Sequence, residues 1–204
     1  RRVNKPPACL GCPWYGDGKG YIEDDTYPGV LFLTGEPDKQ EVSLDKTGEG
    51  PAGKDLQTHF LPLAGLTRGK DCGLGHLLKC QKPEGVEDAK ALALAHCTRA
   101  YPIPSDTTTL VVALGKAVYE YATKWTSRIQ DWRGYLLPRD VTRPRFGEIP
   151  VYVTLGVDDL YTNPSMETVT EWDYLKLRKV LDGSYPKAFP RNVICTSDNK
   201  CEYR

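Results

Sequence analysis

Seven cysteines are the residues most able to bind a metal in this chain of 204 residues. Cys9 and Cys12 form a Cys-x-x-Cys pair, and two thiolates at that spacing can hold one metal centre. Cys80 follows a predicted strand, and Cys97 lies near the end of the helix behind it, so this strand–helix unit returns the chain close to its start. Four thiolates in this arrangement fit a zinc ion and a [4Fe–4S] cluster equally well on coordination grounds.

The other three cysteines do not complete a disulfide framework, because the total number of cysteines is odd. The chain opens on Arg1-Arg2-Val3 without an apolar signal segment, and clustered cysteines in a protein that is not secreted are typical of metal or cluster ligands. We therefore expect Cys72, Cys195 and Cys201 to be ordinary thiols outside the metal site.

Composition narrows the function classes. The 27 basic and 27 acidic side chains cancel, so any surface that binds nucleic acid must be a local patch. No apolar run approaches the roughly 18–20 residues that a membrane span needs, so we expect no membrane partner. The chain also lacks an initiator Met, which favours a domain cut from a larger intracellular protein. We expect it in the cytoplasm or nucleoid, or in the host cell if a virus encodes it.

Short apolar runs alternate with helical patterns along the chain, and this alternation predicts an α/β fold with a parallel sheet covered on both faces. A single domain is expected over residues 1–182, with an irregular lid at 1–29 and an insertion at 126–148 that is irregular or a hairpin. Residues 183–204 are expected to be a tail that could link to a further domain. The predicted strands are 30–34, 74–78, 109–114 and 150–154. The predicted helices are 54–66, 86–100, 115–124 and 166–181.

The site should lie where the strands end, because ligands of such sheets bind outside the carboxyl ends of the strands. Three loops leave those ends, at 35–53, 79–84 and 155–164. The first of them is long and rich in glycine, which is typical of functional loops.

Several short motifs, taken in order, resemble the iron–sulfur family of uracil-DNA glycosylases. They are Cys9-Leu10-Gly11-Cys12-Pro13, Gly35-Glu36-Pro37, Asp45-Lys46-Thr47-Gly48, Pro51-Ala52-Gly53, Lys79-Cys80, His96-Cys97, Val111-Val112-Ala113-Leu114-Gly115-Lys116-Ala117, Arg133-Gly134 and the stretch 150–164. The resemblance implies a structural [4Fe–4S] cluster on Cys9, Cys12, Cys80 and Cys97, and binding to DNA. It also implies a three-layer αβα sandwich around a four-stranded parallel sheet.

The chain departs from that family where a flipped uracil would be held. The family's stacking Phe, in a Pro-Phe pair ahead of Ala-Gly, has no counterpart before Pro51-Ala52-Gly53. His76 stands where the family has an Asn that reads the base edge, and an imidazole cannot present the paired donor and acceptor of an amide. Gly156-Val157-Asp158 replaces a His-Pro-Ser motif whose His stabilises the departing base.

Other candidate site residues remain in place. Glu36, Glu41 and Asp158 are candidates for orienting water or taking over catalysis, and Leu160 matches a leucine that wedges into the helix at the flipped base. Lys46 and Lys82 are expected to contact DNA. They belong to a wider set of candidate phosphate contacts, which is Lys39, Lys46, Lys54, Lys79, Lys82 and Lys116.

These observations predict a DNA-binding domain of replication or repair whose base excision is lost or altered. A DNA polymerase or another replication protein is the expected partner, and it could be part of the same polypeptide. Two alternatives stay open: an active glycosylase for uracil or a modified base, with His76 among the residues that take over the chemistry, and a zinc-bound domain without a nucleic-acid role.

Overall fold

The computed structural model describes residues 5–16, 19–26, 29–83, 89–103 and 107–184, together with the backbone of two short strands near the end of the chain. Those two strands, Val193–Cys195 and Cys201–Tyr203, pair antiparallel with each other. The side chains of Cys195 and Cys201 lie outside the described residues, as does most of the predicted tail.

A five-stranded sheet forms the centre of the fold. Four strands run parallel, as the alternating pattern predicts, and the fifth pairs antiparallel with its neighbour at one edge. The strands are β1 (Gly29–Thr34), β2 (Cys72–His76), β3 (Thr108–Leu114), β4 (Tyr135–Leu136) and β5 (Val151–Thr154), in the spatial order β2-β1-β3-β5-β4. The sheet thus has one strand more than predicted, because the two residues of β4 are too few to show a periodic pattern.

Helices cover both faces of the sheet, and this arrangement is compatible with the expected three-layer sandwich. The helices are α1 (Lys39–Leu44), α2 (Pro51–Asp55), α3 (Leu61–Leu63), α4 (Lys90–Ala100), α5 (Gly115–Thr123), α6 (Arg139–Phe146), α7 (Asp159–Thr162) and α8 (Glu167–Leu181). A π-helical turn, Leu56–Phe60, joins α2 to α3.

Alternation along the strands divides the core into two layers. In β3, Leu110 and Val112 belong to a cluster that includes residues of α8, whereas Val111 and Ala113 belong to a cluster that includes residues of α5 and α6. Successive side chains of a strand point to opposite faces, so a continuous apolar run such as β3 must be buried on both sides. The α/β architecture follows from this double burial.

Several local predictions differ from the structure. Helix α6 lies within the segment 126–148, which was predicted to be irregular or a hairpin. Helix α1 lies inside the predicted loop 35–53, where Asp38 accepts hydrogen bonds from the backbone of Gln40 and Glu41 and so caps a short helix. Strand β2 begins two residues earlier than predicted, because its glycines interrupt the apolar run while its backbone pairs in register with β1.

The segment before β1 covers the exposed edge of β2. Asp24 accepts a hydrogen bond from the His76 N–H (2.9 Å), and Asp25 accepts one from the Leu74 N–H (2.9 Å). The Ile22 N–H donates to the Lys79 carbonyl (2.8 Å), so the chain remains alongside the segment that leaves β2. Covering an edge strand in this way satisfies its backbone groups and brings the Cys-x-x-Cys pair next to Cys80.

Candidate functional site

Four cysteines from three separate segments line one small cavity. Cys9 and Cys12 come from the turn at the N-terminal end, Cys80 from the segment after β2, and Cys97 from the last turns of α4. No disulfide joins any of these thiols, and among the described residues each is a free cysteine. The predicted strand–helix return therefore places all four sulfurs at one place in the fold.

The cavity surrounds the thiols with apolar walls and a few polar contacts. Trp14, Leu78 and Ala93 pack around them. The Lys79 N–H donates to Cys97 Sγ (3.4 Å), and the Tyr101 hydroxyl lies 3.2 Å from Cys9 Sγ. Hydrogen bonds of this kind to sulfur are typical of iron–sulfur sites, where they tune the cluster.

Burial raises the pKa of the Cys80 thiol to about 12, while the nearby Lys5 charge lowers it and the other cysteines raise it further. Burial is also the first cause that raises the pKa of Cys97. These groups are therefore protonated thiols at neutral pH, and a metal bound here would have to displace their protons.

The separation of the sulfurs bears on the kind of metal. Around one tetrahedral Zn²⁺, bonds of about 2.3 Å place the sulfurs roughly 3.8 Å apart. In the part of the chain that the structure describes, no three of these cysteine sulfurs lie within 4.8 Å of one another. The four thiols therefore line one cavity without forming a compact single-ion site, and the cluster stays a prediction.

Cys72 lies elsewhere in the molecule. It begins β2 and is fully buried in the core cluster beneath α8. Burial raises its pKa to about 12, with neighbouring carboxylates contributing. Its side chain does not line the cysteine cavity, so the prediction that it packs as an ordinary thiol matches its position.

A second, larger cavity of about 500 Å³ lies where the parallel strands end, and we call it the edge cavity. Its walls come from the loops after β1, β2, β3 and β5, as expected for a parallel sheet. Its polar lining residues are Thr34, Glu36, Asp38, Glu41, Thr47, His76, Lys90, Lys116, Asp158, Asp159 and Tyr161. Four residues predicted from the sequence, Glu36, Glu41, His76 and Asp158, therefore lie around one cavity.

Glu41 is buried and held by several hydrogen bonds. It sits three residues after the N-cap Asp38, and its Oε2 accepts from the Asp38 N–H (2.8 Å) in a capping box. Its Oε1 accepts from the Gly48 N–H (2.5 Å). Burial alone would raise the pKa of Glu41, but the hydrogen bond and charge of His76, together with these two amides, hold it below its usual range. Glu41 is therefore a carboxylate at neutral pH.

Two glycines allow this loop to close on Glu41. Gly48 has a φ of +71°, and an added Cβ would lie 2.6 Å from the Arg68 guanidinium. A Cβ on Gly53 would lie 2.6 Å from the backbone of Gly48. Only residues without a side chain permit α2 to approach the loop this closely.

His76 ends β2, and only 2% of its surface is exposed. Its Nε2 lies 3.3 Å from Glu41 Oε2, and its Nδ1 has no hydrogen-bond partner among the described residues. The position expected to read a base edge thus holds a buried imidazole with one nitrogen already engaged.

The opposite wall of the edge cavity is acidic. Asp158 and Asp159 begin α7, and the Gly156 N–H donates to Asp159 Oδ2 (3.1 Å). Partial desolvation raises the pKa of Asp158, and the neighbouring Asp159 charge adds to the effect. Glu36, on the loop after β1, pairs with Lys90 through Oε1 (3.3 Å), while its Oε2 has no partner among the described residues.

Tyr161 was not predicted from the sequence as a site residue. Its ring lines the edge cavity and is 53% exposed, and its hydroxyl donates to Asp55 Oδ2 (2.6 Å). Leu160, the expected wedge, is only 8% exposed and packs in the core, and its role as a wedge stays a prediction. Adjacent residues of the single turn α7 point in different directions. In the sequence, the aromatic residue next to a leucine was the one signal that could have indicated Tyr161.

The predicted phosphate contacts are distributed differently from the expectation. Lys79 is buried, bonds Asp24 and donates to the His76 carbonyl (2.6 Å), so it cannot meet solvent phosphate and that prediction is wrong. Lys46 pairs with Glu49 (2.7 Å) on the surface. Neither Lys46 nor Lys82 lines the edge cavity, whereas Lys116 does. Lys39 and Lys54 are exposed on α1 and α2 and do not line the edge cavity.

Comparison with known proteins leaves the site to be judged on its own chemistry. A scan against protein-family models found no match, and a search of curated proteins found none. Within the described part of the chain, no helix has both the length and the apolar character needed to cross a bilayer.

Proposed function

We propose that this chain is a [4Fe–4S]-containing domain of the uracil-DNA glycosylase type that binds DNA in replication or repair, with base excision lost or altered. The observation that carries the proposal is the meeting of Cys9, Cys12, Cys80 and Cys97 at one cavity. The proposal includes the glycosylase-like fold and a replication protein as partner.

The residues around the four thiols suit an iron–sulfur cluster. Apolar side chains surround the sulfurs, and the Lys79 N–H donates to Cys97. A bound cluster would act as a crosslink between the N-terminal turn, the segment after β2 and α4. The segment after β2 also borders the edge cavity, because its residue Leu78 lines both cavities.

DNA binding is supported by the surface beside the edge cavity. A further cavity of about 390 Å³ shares Lys116 and Asp159 with it. Hydroxyl, amide and guanidinium groups line this neighbour, from Thr126, Ser127, Arg128 and Gln130. Such groups are the usual phosphate contacts of nucleic-acid-binding proteins, so a strand could pass from here into the edge cavity.

Efficient uracil excision is disfavoured by the polar groups that are present. Gly156 supplies no side chain to stabilise a departing base, and the carboxylates of Asp158 and Asp159 lie beside it. A negative charge placed there would oppose an anionic leaving group. His76 cannot offer both a donor and an acceptor to the edge of uracil, because its Nε2 already contacts Glu41.

The alternative of an active glycosylase rests on that same buried pair. A carboxylate that orients an imidazole is a common arrangement for general acid–base catalysis. Here Glu41 would hold the ring of His76 and leave Nδ1 for a water or a base.

Three kinds of measurement test the proposal. Anaerobically purified protein should be brown, absorb broadly in the visible range and contain about four iron atoms per chain; a colourless protein that carries zinc would contradict it. Affinity for single- and double-stranded DNA should fall with rising salt, and the double variant Lys116→Glu/Arg128→Glu should flatten that dependence. An abasic-site cleavage assay on uracil-containing DNA distinguishes a DNA-binding domain with lost or altered excision from an active glycosylase.

A further inference from the structure

Unpaired polar atoms at the edge cavity indicate the chemistry of its ligand. Among the described residues, four buried side-chain atoms lack a hydrogen-bond partner, and two of them, His76 Nδ1 and Glu36 Oε2, belong to residues that line this cavity. A buried polar atom without a partner costs free energy, so its persistence at a cavity points to a bound group that satisfies it.

One of these two unpaired atoms, Glu36 Oε2, is a hydrogen-bond acceptor. Glu36 Oε2 belongs to a carboxylate whose other oxygen already faces Lys90. The nitrogen of His76 that faces the Glu41 carboxylate carries a hydrogen, because an ionised carboxylate only accepts, and Nδ1 is the nitrogen left for a ligand.

The surrounding side chains strengthen this bias toward acceptors. Asp38, Asp158 and Asp159 add three carboxylates to the cavity wall. The two lysines at the wall have acidic partners, Glu36 for Lys90 (3.3 Å) and Glu120 for Lys116 (3.6 Å). A ligand that brings N–H groups is therefore favoured over one that brings carbonyl oxygens.

We infer that the edge cavity receives a base with an exocyclic amino group, as in cytosine, adenine or guanine, and discriminates against uracil and thymine. This inference rests on the proposed function and names the base class that the same site would read. An amino group offers two hydrogens to acceptors, and carboxylates accept from such groups in known base contacts. Uracil and thymine instead flank one N–H with two carbonyl oxygens, which would face carboxylates. A cavity of about 500 Å³ has room for either ring size.

A binding series tests the inference. Short single-stranded oligonucleotides carry one central base, C, A, U or T, among abasic-site analogues, so that only this base can enter the cavity. Fluorescence anisotropy at fixed salt should show about tenfold tighter binding of the C and A oligonucleotides, the discrimination expected of one good base-edge contact. Equal affinities, or a preference for U, would overturn the inference.

The variant Glu36→Gln assigns the preference to this carboxylate. An amide can donate to a carbonyl oxygen, so the advantage of C over U should shrink to about twofold or less. The matched control is Glu148→Gln, which removes a carboxylate that pairs with Arg143 (2.6 Å) on the surface and lines none of the cavities described above; it should keep the preference. An unchanged preference in Glu36→Gln would count against the assignment. If this variant fails to fold, competition by free cytidine and uridine against a bound oligonucleotide on the unmodified protein decides the question.

The experiments distinguish a failure of the base-class inference from a failure of the proposed function. Salt-dependent DNA binding without base discrimination would refute this inference and leave the proposed function intact. Absence of DNA binding would refute the proposed function. Calorimetry with free cytidine, adenosine and uridine would then decide the inference by itself, since preferential binding of cytidine and adenosine supports it and no binding refutes it.

Discussion

The cysteine cavity and the edge cavity lie next to each other, but their polar groups are satisfied in different ways. The cysteine cavity holds four groups of one kind, and none of them forms a disulfide. The edge cavity mixes carboxylates, an imidazole and a phenol, most of which already have partners. A site of uniform ligands reveals its chemistry through residue type alone. A mixed site reveals it only through the atoms that remain unpaired.

Lys79 connects the two regions. Its backbone N–H donates to Cys97 Sγ, while its buried ammonium group donates to the His76 carbonyl and bonds Asp24. A change at the cysteines should therefore reach the end of β2, and the predictions below test how far the two cavities depend on each other.

The largest effect is expected from removing one thiolate. Cys80→Ser should lose most of the iron and lower Tm by roughly 10 °C, because losing a metal site costs several kcal/mol and each kcal/mol shifts Tm by about 2–4 °C at this size. Iron analysis and thermal unfolding measure both. Cys72→Ala is the matched control, since Cys72 is buried in the core away from the cavity, and it should keep its iron. Normal iron content in Cys80→Ser would remove the basis for the proposed cluster.

A smaller effect is expected at the other cavity. Glu41→Gln should lower the free energy of unfolding by about 1–3 kcal/mol at neutral pH, because the amide cannot satisfy both the Asp38 and Gly48 amides and His76. The iron content should remain unchanged, which would show that the cysteine cavity forms independently.

The same variant tests the pH dependence. The pKa of Glu41 lies below its ordinary value of 4.5 in the folded chain. A depressed pKa means that the folded state binds the proton less tightly than the unfolded state does. Its contribution to stability is therefore complete above about pH 4.5 and disappears as the pH falls through the folded pKa. Urea unfolding at a series of acidic pH values should show a shallower loss in Glu41→Gln. Identical slopes would contradict the hydrogen-bonded carboxylate, and Glu148→Gln is the surface control, with an expected change below about 0.5 kcal/mol.

Substitutions of Tyr161 test whether its ring stacks on a DNA base or only supports the wall of the edge cavity. Tyr161→Ala should weaken binding to single-stranded DNA about tenfold, since stacking on an aromatic ring contributes about 1–3 kcal/mol per base. Tyr161→Phe keeps the ring and loses only the hydrogen bond to Asp55, so it should bind almost normally. If both variants weaken binding equally, the contact with Asp55 matters rather than the ring. Anisotropy titrations at one salt concentration provide the comparison.

The smallest expected signal is restored excision. We expect the unmodified protein to excise uracil undetectably or very slowly. Gly156→His with His76→Asn restores two groups that the resemblance implies, but a Cβ on Gly156 would lie 2.4 Å from Asp158 Oδ1. Asp158→Ala must therefore accompany them, and the triple variant should show slow abasic-site formation in the cleavage assay. The control is Asp158→Ala alone. Robust excision by the unmodified protein would favour the active glycosylase instead.

Much of this arrangement could be predicted from local sequence. Apolar runs such as β3 indicate buried strands because a strand covered on both faces has no polar side. The cysteine spacing indicated that four thiols would meet, because one strand and one helix return the chain to its start. Glu36, Glu41 and Asp158 lie in loops predicted to leave the strand ends, His76 followed from the family resemblance, and all four line one cavity.

Other features depended on contacts between distant segments. Lys79 resembles a surface residue in sequence, yet it is buried and bonds Asp24, and Leu160 packs in the core cluster. Tyr161 lines the edge cavity because the single turn of α7 directs its ring away from the core. The two unpaired atoms are His76 Nδ1 and Glu36 Oε2, and Glu41 and Lys90 engage the other polar atom of each side chain. Sequence determined which groups are available, since residue type and spacing are local. Tertiary structure decided which of their atoms remain free, because hydrogen-bond partners lie far apart along the chain.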